Sequence, residues 1–209
     1  IFGKVSSTVP MTIGWQRDGR DSALVPTEGR YMRLNLEAGL LGDARYWRAN
    51  TQFQQYIPLG RRFTIGFNGE LGWGKGLNGK PYPIFKNFYG GGLGTVRAFD
   101  QGSLGPVDVI GAFIGGNRRL NLQSQLYLPV PGTGNDRTLR WFGFLDAGNV
   151  WGENEPVKLN GRYGLRASAG IGLSWVSPVG PLQLSYGSPI RKQPGDRIQR
   201  LQFQIGTAF

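Results

Sequence analysis

The stretch YGLRASAGIGLSWVS, residues 163–177, alternates between two kinds of side chain. Successive side chains of a β-strand point to opposite faces of a sheet, so a period of two indicates a strand. Strands of water-soluble proteins have roughly five or six residues, whereas a strand that crosses a membrane needs about 9–11. The length of this stretch therefore favours a membrane strand. Its apolar residues oppose arginine, serine and glycine: Leu165, Ala167, Ala169, Ile171, Leu173 and Trp175 against Arg166, Ser168, Gly170, Gly172 and Ser174.

The same alternation recurs along the whole chain. Turn-forming sequences such as LGRR and KQPGD separate the alternating segments, and we find neither a helical period nor a linker that divides the chain. We therefore predict an all-β fold with antiparallel strands, which forms a single domain over residues 1–209. The predicted strands are 9–17, 30–41, 44–57, 62–74, 118–130, 139–151, 163–177, 181–188 and 198–209.

The composition excludes several classes of function. The chain of 209 residues has no cysteine and no histidine, and 24 Lys+Arg against 13 Asp+Glu give it a net charge of +11. Without these residues there is no disulfide, no thiolate metal site and no histidine base. We therefore expect no enzymatic activity, no metal and no cofactor, with a hydrolase that uses carboxylates or a lysine as the alternative. The positive charge indicates an anionic partner, and composition alone leaves nucleic acid, an acidic lipid surface and an acidic polypeptide open.

Two all-β architectures fit this pattern. A soluble sandwich would turn its polar strand faces to water, whereas a transmembrane barrel would turn them to its lumen and its apolar faces to lipid. The strand lengths favour the barrel, as do tryptophans near several strand ends, such as Trp73 and Trp175. A short turn after the third strand contrasts with the long connection 75–117, which is typical of barrels with short turns at one end.

The long connection contains GTVRAFDQGSLGP, residues 94–106, in which an arginine stands between hydrophobic residues. The same region, in FKNFYGGGLGTVRAFDQGSLGP (85–106), resembles the conserved loop of the Omp85 superfamily. GFLDAGNVW (143–151) resembles a strand motif of that family. Three further stretches, 14–39, 167–190 and 200–209, resemble other strands of its barrels. The resemblance therefore extends over almost the whole chain.

The resemblance implies an antiparallel transmembrane β-barrel. Barrels of the bacterial surface antigen branch of this family have sixteen strands and follow periplasmic POTRA domains. The chain would then be the C-terminal half of such a barrel, with eight or nine strands and no POTRA domain. By itself it is expected to close as a small eight-stranded barrel or to pair with another chain, because unpaired strand edges in lipid are costly.

The resemblance also implies a function, in the outer membrane of a Gram-negative bacterium. The chain would belong to the core component of the machinery that folds and inserts β-barrel proteins there. Its partners would be nascent outer-membrane β-barrel proteins, outer-membrane lipid or lipopolysaccharide, and the machinery's accessory lipoproteins, with no nucleic acid. The alternatives are another family member, either TamA-like or a two-partner secretion transporter, and a passive outer-membrane pore. An outer-membrane hydrolase is disfavoured because such enzymes commonly use histidine.

The family loop folds back into the lumen, where its arginine contacts the strand motif. Carried over to this chain, Arg97 on loop 75–117 would plug the lumen against Asp146. Ala98 stands where the family usually has glycine, so a positive φ there would be strained. Gln125 stands where many members have glutamate. The residues implied are the loop motif Val96, Arg97, Ala98 and Phe99, the strand motif Phe144, Asp146 and Gly148, and the loop hinge Gly90, Gly91, Gly92 and Gly94.

The last predicted strand, LQFQIGTAF, resembles the signal by which outer-membrane proteins are recognised for assembly. In the family the seam between the first and last strands is weakly paired and is proposed to open. Gly206 interrupts the alternation, and a glycine in a strand weakens pairing or permits a bend. The residues implied for this strand and its gate are Phe203, Ile205, Gly206 and Phe209.

Overall fold

The computed structural model describes residues 7–60, 62–132, 137–178 and 180–206, which form one large antiparallel sheet. The strands are β1 (Thr8–Asp18), β2 (Gly29–Gly42), β3 (Tyr46–Leu59), β4 (Phe63–Gly76), β5 (Ala98–Phe99), β6 (Arg118–Pro129), β7 (Leu139–Trp151), β8 (Arg166–Ser177), β9 (Gly180–Arg191), β10 (Ile198–Gln199) and β11 (Leu201–Ile205). The sheet has the order β1-β2-β3-β4-β6-β7-β8-β9-β11, and β5 pairs with β10 outside it. A single turn of 3₁₀ helix, Ile84–Lys86, follows β4.

The predicted strands correspond to observed strands with one exception, at the C-terminal end. The segment 198–209 was predicted as one strand, but the structure divides it at Arg200 into β10 and β11. Residues of β10 pair with β5 in the long loop, whereas β11 pairs with β9. β11 ends at Ile205 because Gly206 has a φ of 89°, which leaves the extended conformation. Phe209 lies outside the described residues.

The two faces of the sheet differ in polarity, as the alternation predicts. We call the face that carries Ile171 and Phe203 the outer face, and the opposite face, which carries Asp146, the inner face. Ile171 and Phe203 are 61% and 74% exposed, and most other large apolar residues of the outer face are exposed too. Apolar patches of that extent mark surfaces that lie against lipid or another protein. The eight long strands and β11 belong to one sheet, and apart from the two-residue pairing of β5 with β10 the described residues contain no second sheet that could form a sandwich.

The edges of the sheet are β1 and β11. β1 pairs with β2 from Thr8 to Asp18, with one register shift between Val9 and Pro10. Among the described residues β1 and β11 are not hydrogen-bonded to each other. The expectation of a small closed barrel therefore stays a prediction.

The buried core lies between the inner face and the loop that joins β4 to β6. This loop, residues 77–117, contributes Val96, Phe99 and Leu104, and the strands contribute Tyr46 and Phe142, all almost fully buried. The connections alternate between two ends of the sheet, and we call the end that carries loop 77–117 the loop end. No helix in the described part of the chain is long and apolar enough to span a membrane.

Candidate functional site

The VRAF segment, residues Val96 to Phe99, is buried against the inner face of the sheet. Its four residues are between 0% and 1% exposed, because loop 77–117 folds onto the inner face of the sheet. Val96 and Phe99 pack with Leu104 of the same loop in one apolar cluster. This burial explains why a glycine-rich loop carries an arginine between hydrophobic residues.

Arg97 binds Asp146 on β7 through two side-chain hydrogen bonds. Nε of Arg97 donates to Oδ2 at 2.7 Å, and Nη2 donates to Oδ1 at 2.6 Å. The backbone N–H of Arg97 also donates to Oδ2, at 3.0 Å. Neither side chain is exposed. Burying both charges costs free energy. The three hydrogen bonds to the carboxylate, two of them from the guanidinium group, offset this cost.

Two rings and one amide surround the remainder of the guanidinium. Cζ of Arg97 lies 3.9 Å from the ring centroid of Phe144 and 5.4 Å from that of Phe142, which are cation–π distances. With the Gln125 amide turned so that both its ends are satisfied, its oxygen accepts from Nη1 and Nη2 of Arg97 at 3.1 and 3.2 Å. Gln125 therefore remains a partner of Arg97, although it carries no charge.

Glycines in the sheet leave room for this loop. A Cβ atom at Gly148 would lie 2.7 Å from the carbonyl oxygen of Leu120 and 2.8 Å from Cγ2 of Val96. At Gly170 and at Gly187 it would lie 2.7 Å from Cζ of Phe144. Because the sheet lacks side chains at these points, the ring of Phe144 and the VRAF segment can approach its backbone.

The four predicted hinge glycines have different environments. Gly91 and Gly92 have φ angles of 101° and 93°, which favour glycine. A Cβ atom at Gly90 would lie 3.0 Å from Cγ2 of Val150, so this position needs a small residue. At Gly94 a Cβ atom would have no neighbour within 4 Å, so the structure gives no steric reason for glycine there.

Ala98 has a φ of 68°, in the left-handed region that a glycine would adopt without strain. Its neighbours fix this conformation, since Ala98 and Phe99 form β5 and pair with Gln199 and Ile198 of β10. On the other side, the Gln202 amide of β11 donates from Nε2 to the carbonyl of Phe99 at 2.7 Å. The VRAF segment is thus bonded both to β7 and to the C-terminal part of the chain.

Loop 77–117 has a second attachment, on β2 and β3, which was not predicted from the sequence. Nζ of Lys86 lies 2.7 Å from Oε1 of Glu37, and the hydroxyl of Tyr46 donates to the same oxygen. Tyr82 packs edge-on against Tyr46, and its hydroxyl donates to the carbonyl of Lys86 at 2.9 Å. Burial raises the pKa of Tyr82 to about 12, so this hydroxyl stays neutral. Only the polar position of Glu37 in the alternation of β2 was visible in the sequence.

Of the residues predicted for the terminal strand, the three that the structure describes, Phe203, Ile205 and Gly206, lie away from the VRAF segment. Phe203 and Ile205 point outward and are 74% and 67% exposed. Gly206 follows the end of β11, and its N–H donates to the carbonyl of Pro181 at 2.7 Å. The structure therefore brings the loop and strand motifs together and leaves these residues on the outer face and at the strand end.

The contacts of the site attach loop 77–117 to the sheet. Its polar groups pair with one another, and the described residues contain no cluster of three or more Asp and Glu that could hold a metal ion. What the arrangement can do is hold loop 77–117 against the sheet from β2 to β11.

Comparisons with known proteins agree with this architecture. A family model described as the Omp85 superfamily domain matches residues 3–209. The outer membrane protein assembly factor BamA of Neisseria meningitidis serogroup B is 41% identical over 95% of this chain and 28% of that protein. The sorting and assembly machinery component 50 homolog of Mus musculus is 32% identical, over 92% of this chain and 44% of that protein.

A solved structure shows the same fold. The crystal structure of BamA from Haemophilus ducreyi lacking POTRA domains 1–3 superposes with a TM-score of 0.83 and 32% identity. The match covers 93% of this chain and 41% of that one. The chain therefore spans less than half the length of each of these relatives.

Proposed function

The chain belongs to the Omp85 superfamily, and we propose that it is the C-terminal part of the barrel of an outer-membrane assembly factor. The proposed activity is to fold other β-barrel proteins and insert them into the outer membrane. The names of two relatives support it, since one is an outer membrane protein assembly factor and the other a sorting and assembly machinery component. The remaining strands and the POTRA domains would belong to a longer protein.

The observation that carries this proposal is the buried attachment of loop 77–117 through Arg97 and Asp146. A passive pore needs an open lumen, whereas here a loop covers the inner face from β2 to β11. The loop is held by the charged side chains of Arg97 and Asp146, neither of which is exposed to solvent. Burying two charges costs free energy unless they stay paired. This arrangement supports a barrel whose lumen is filled by the loop and whose activity takes place at the sheet and not through an open channel.

The proposed mechanism uses the edge of the sheet. A strand with one neighbour presents unpaired N–H and C=O groups, to which an extended client segment can add by β-augmentation. β11 is such an edge, and its outward residues Phe203 and Ile205 would face lipid beside the incoming strand. This step makes and breaks no covalent bond, so we propose neither an enzymatic activity nor a cofactor.

The proposed location is the outer membrane of a Gram-negative bacterium. The exposed apolar outer face supports a lipid environment. The loop end would face outward, because barrels of this kind have short periplasmic turns and longer external loops. The partners would be nascent β-barrel proteins, the accessory lipoproteins of the machinery, and outer-membrane lipid or lipopolysaccharide, whose anionic groups would suit the net charge of +11.

The test is client insertion by the full-length protein in proteoliposomes, with Arg97→Met compared with Arg33→Met. Arg33 also lies on the inner face but is exposed, so it controls for the loss of a positive charge. We expect the Arg97 variant to lose most of its insertion rate at an equal folded level, and the Arg33 variant to keep it. Unchanged insertion by the Arg97 variant would refute the dependence on Arg97, and a parent that inserts no client but conducts ions steadily would be a passive pore.

A further inference from the structure

The terminal strand of the sheet is held weakly by its neighbour. β11 has 5 residues, whereas the other eight strands of the sheet have between 11 and 14. Among the described residues it pairs only with β9, from Leu201 opposite Tyr186 to Ile205 opposite Leu182, and there its other side is an edge. Pairing with β9 therefore supplies few of the contacts that keep β11 in register.

One side chain of β11 adds a contact of another kind. Gln202 faces inward and is 5% exposed. Its Nε2 donates to the carbonyl of Phe99 at 2.7 Å, and its Oε1 accepts from the N–H of Ala98 at 3.3 Å. The amide thus pairs with two consecutive residues of the VRAF segment, as the backbone of a neighbouring strand would.

The residues just before β11 are fixed to the same segment. Ile198 and Gln199 of β10 pair with β5, and the N–H of Asp100 donates to the carbonyl of Arg197 at 3.0 Å. Arg97 anchors the segment to β7 through Asp146. A continuous set of bonds therefore runs from Asp146 through the VRAF segment to Gln202.

We infer that Gln202 is a positioning residue that couples the VRAF segment to the terminal strand and fixes the register of the sheet edge. Register matters because a slip of one residue turns every side chain to the opposite face. The inference rests on the proposed function in one respect, namely that this edge receives the client strand. The coupling itself concerns only residues within this chain.

The chain offers a matched control two residues away. Gln204 lies on the same strand and the same face, but its amide donates only at 3.5 Å, to the carbonyl of Gly206 two residues on. Replacing either glutamine by methionine keeps the length of the side chain and removes its hydrogen bonds. A difference between the two variants therefore reports the bonds of Gln202 to the loop.

The experiment compares Gln202→Met and Gln204→Met in the full-length protein in lipid nanodiscs. Hydrogen–deuterium exchange is followed in peptides that contain 98–100 and 198–206, and the thermal midpoint of the barrel is measured. For Gln202→Met we expect exchange in 198–206 to accelerate about tenfold, because two hydrogen bonds are lost. The midpoint and the exchange of β6 and β7 should match the parent, and Gln204→Met should match it throughout.

Three results would overturn the inference. The first is parental exchange in Gln202→Met, and the second is an equal acceleration in both variants. The third is a fall in the thermal midpoint with faster exchange in all strands, which would make Gln202 an ordinary packing residue.

Client insertion by the same variants tests the register role. We expect Gln202→Met to insert clients severalfold more slowly than Gln204→Met at an equal folded level. Equal insertion rates despite local acceleration of exchange would refute the role of Gln202 in presenting the edge. That result would leave the assembly function intact, because the Arg97 and Arg33 comparison tests that function separately.

Discussion

Arg97 on loop 77–117 and Asp146 on β7 form an ion pair in which Nη2 and Oδ1 are 2.6 Å apart and neither side chain is exposed. Removing one partner of a buried pair leaves an uncompensated charge, which typically costs about 3–5 kcal/mol. The pair therefore fixes the position of the loop more strongly than an exposed contact could. It also joins residues that are 49 positions apart in the chain.

Ala98 offers a test of backbone strain in the loop. Its φ of 68° costs an alanine roughly 1–2 kcal/mol relative to the right-handed conformation. Glycine avoids that strain but gains about 0.4–1 kcal/mol of unfolded-state entropy. We expect Ala98→Gly to raise the free energy of unfolding by up to about 1 kcal/mol, measured by urea titration in lipid vesicles.

Ala98→Val should have the opposite effect on stability, because a β-branched residue is more strained at a positive φ. It should be less stable than the parent. If Ala98→Gly were the less stable of the two variants, the conformation assigned to the VRAF segment would be wrong.

Gly148 tests the close approach of the loop to the sheet. A methyl group there would meet the carbonyl of Leu120 at 2.7 Å and Cγ2 of Val96 at 2.8 Å. The backbone carbonyl cannot move freely, so we expect Gly148→Ala to lower the free energy of unfolding by about 1–3 kcal/mol.

Gly143 of the same strand is the control, because a Cβ atom there would have no neighbour within 4 Å. Gly143→Ala should leave the unfolding free energy close to that of the parent. Equal losses in the two variants would show that the close contacts of Gly148 with Leu120 and Val96 are not what limits the size of this residue.

Asp21, in the turn between β1 and β2, predicts a pH dependence. Burial raises its pKa, but hydrogen bonds from the side chain and N–H of Thr27 and from the N–H of Glu28 outweigh this and hold it below the usual 3.8. A lowered folded pKa stabilises the turn above the unfolded pKa, and that stabilisation is lost as the pH falls through the folded value.

Amide exchange of Thr27 should therefore accelerate on acidification below about pH 4. Asp21→Asn, which cannot titrate, should show no such change in that range beyond the intrinsic pH dependence of exchange. Identical profiles in parent and variant would mean that another group controls the turn.

Much of the fold could be predicted from the sequence because alternation reports strand position and face directly. The segment 139–151 coincides with β7, which places Phe144 and Asp146 on one face. The alternation of side chains does not, however, indicate which other strand a short strand will pair with. Residues 198 and 199 continue the pattern of the last strand, yet they pair with residues 98 and 99 of a loop.

The site was partly predictable for a similar reason. The VRAF segment stood out because its apolar residues conflict with the composition of a loop. Gln202 did not, because Gln204 has the same residue type and faces the same way. Lys86 and Glu37 were also unremarkable charges in the sequence, and only the folded loop brings them within 2.7 Å.

We propose that the contact between Arg97 and Asp146 holds loop 77–117 against the inner face of the sheet and that client insertion depends on this contact. A charge-swap cycle in the full-length protein tests it most directly: Arg97→Glu, Asp146→Arg, and both substitutions together. Each variant is scored for its own folded level and for the insertion of an independent client barrel.

We expect each single variant to lose at least about tenfold in insertion, since two like charges are then buried side by side. The double variant should regain part of the rate, although the N–H of Arg97 loses its acceptor on Asp146. Insertion at the parental rate by both single variants, at parental folded levels, would contradict the account.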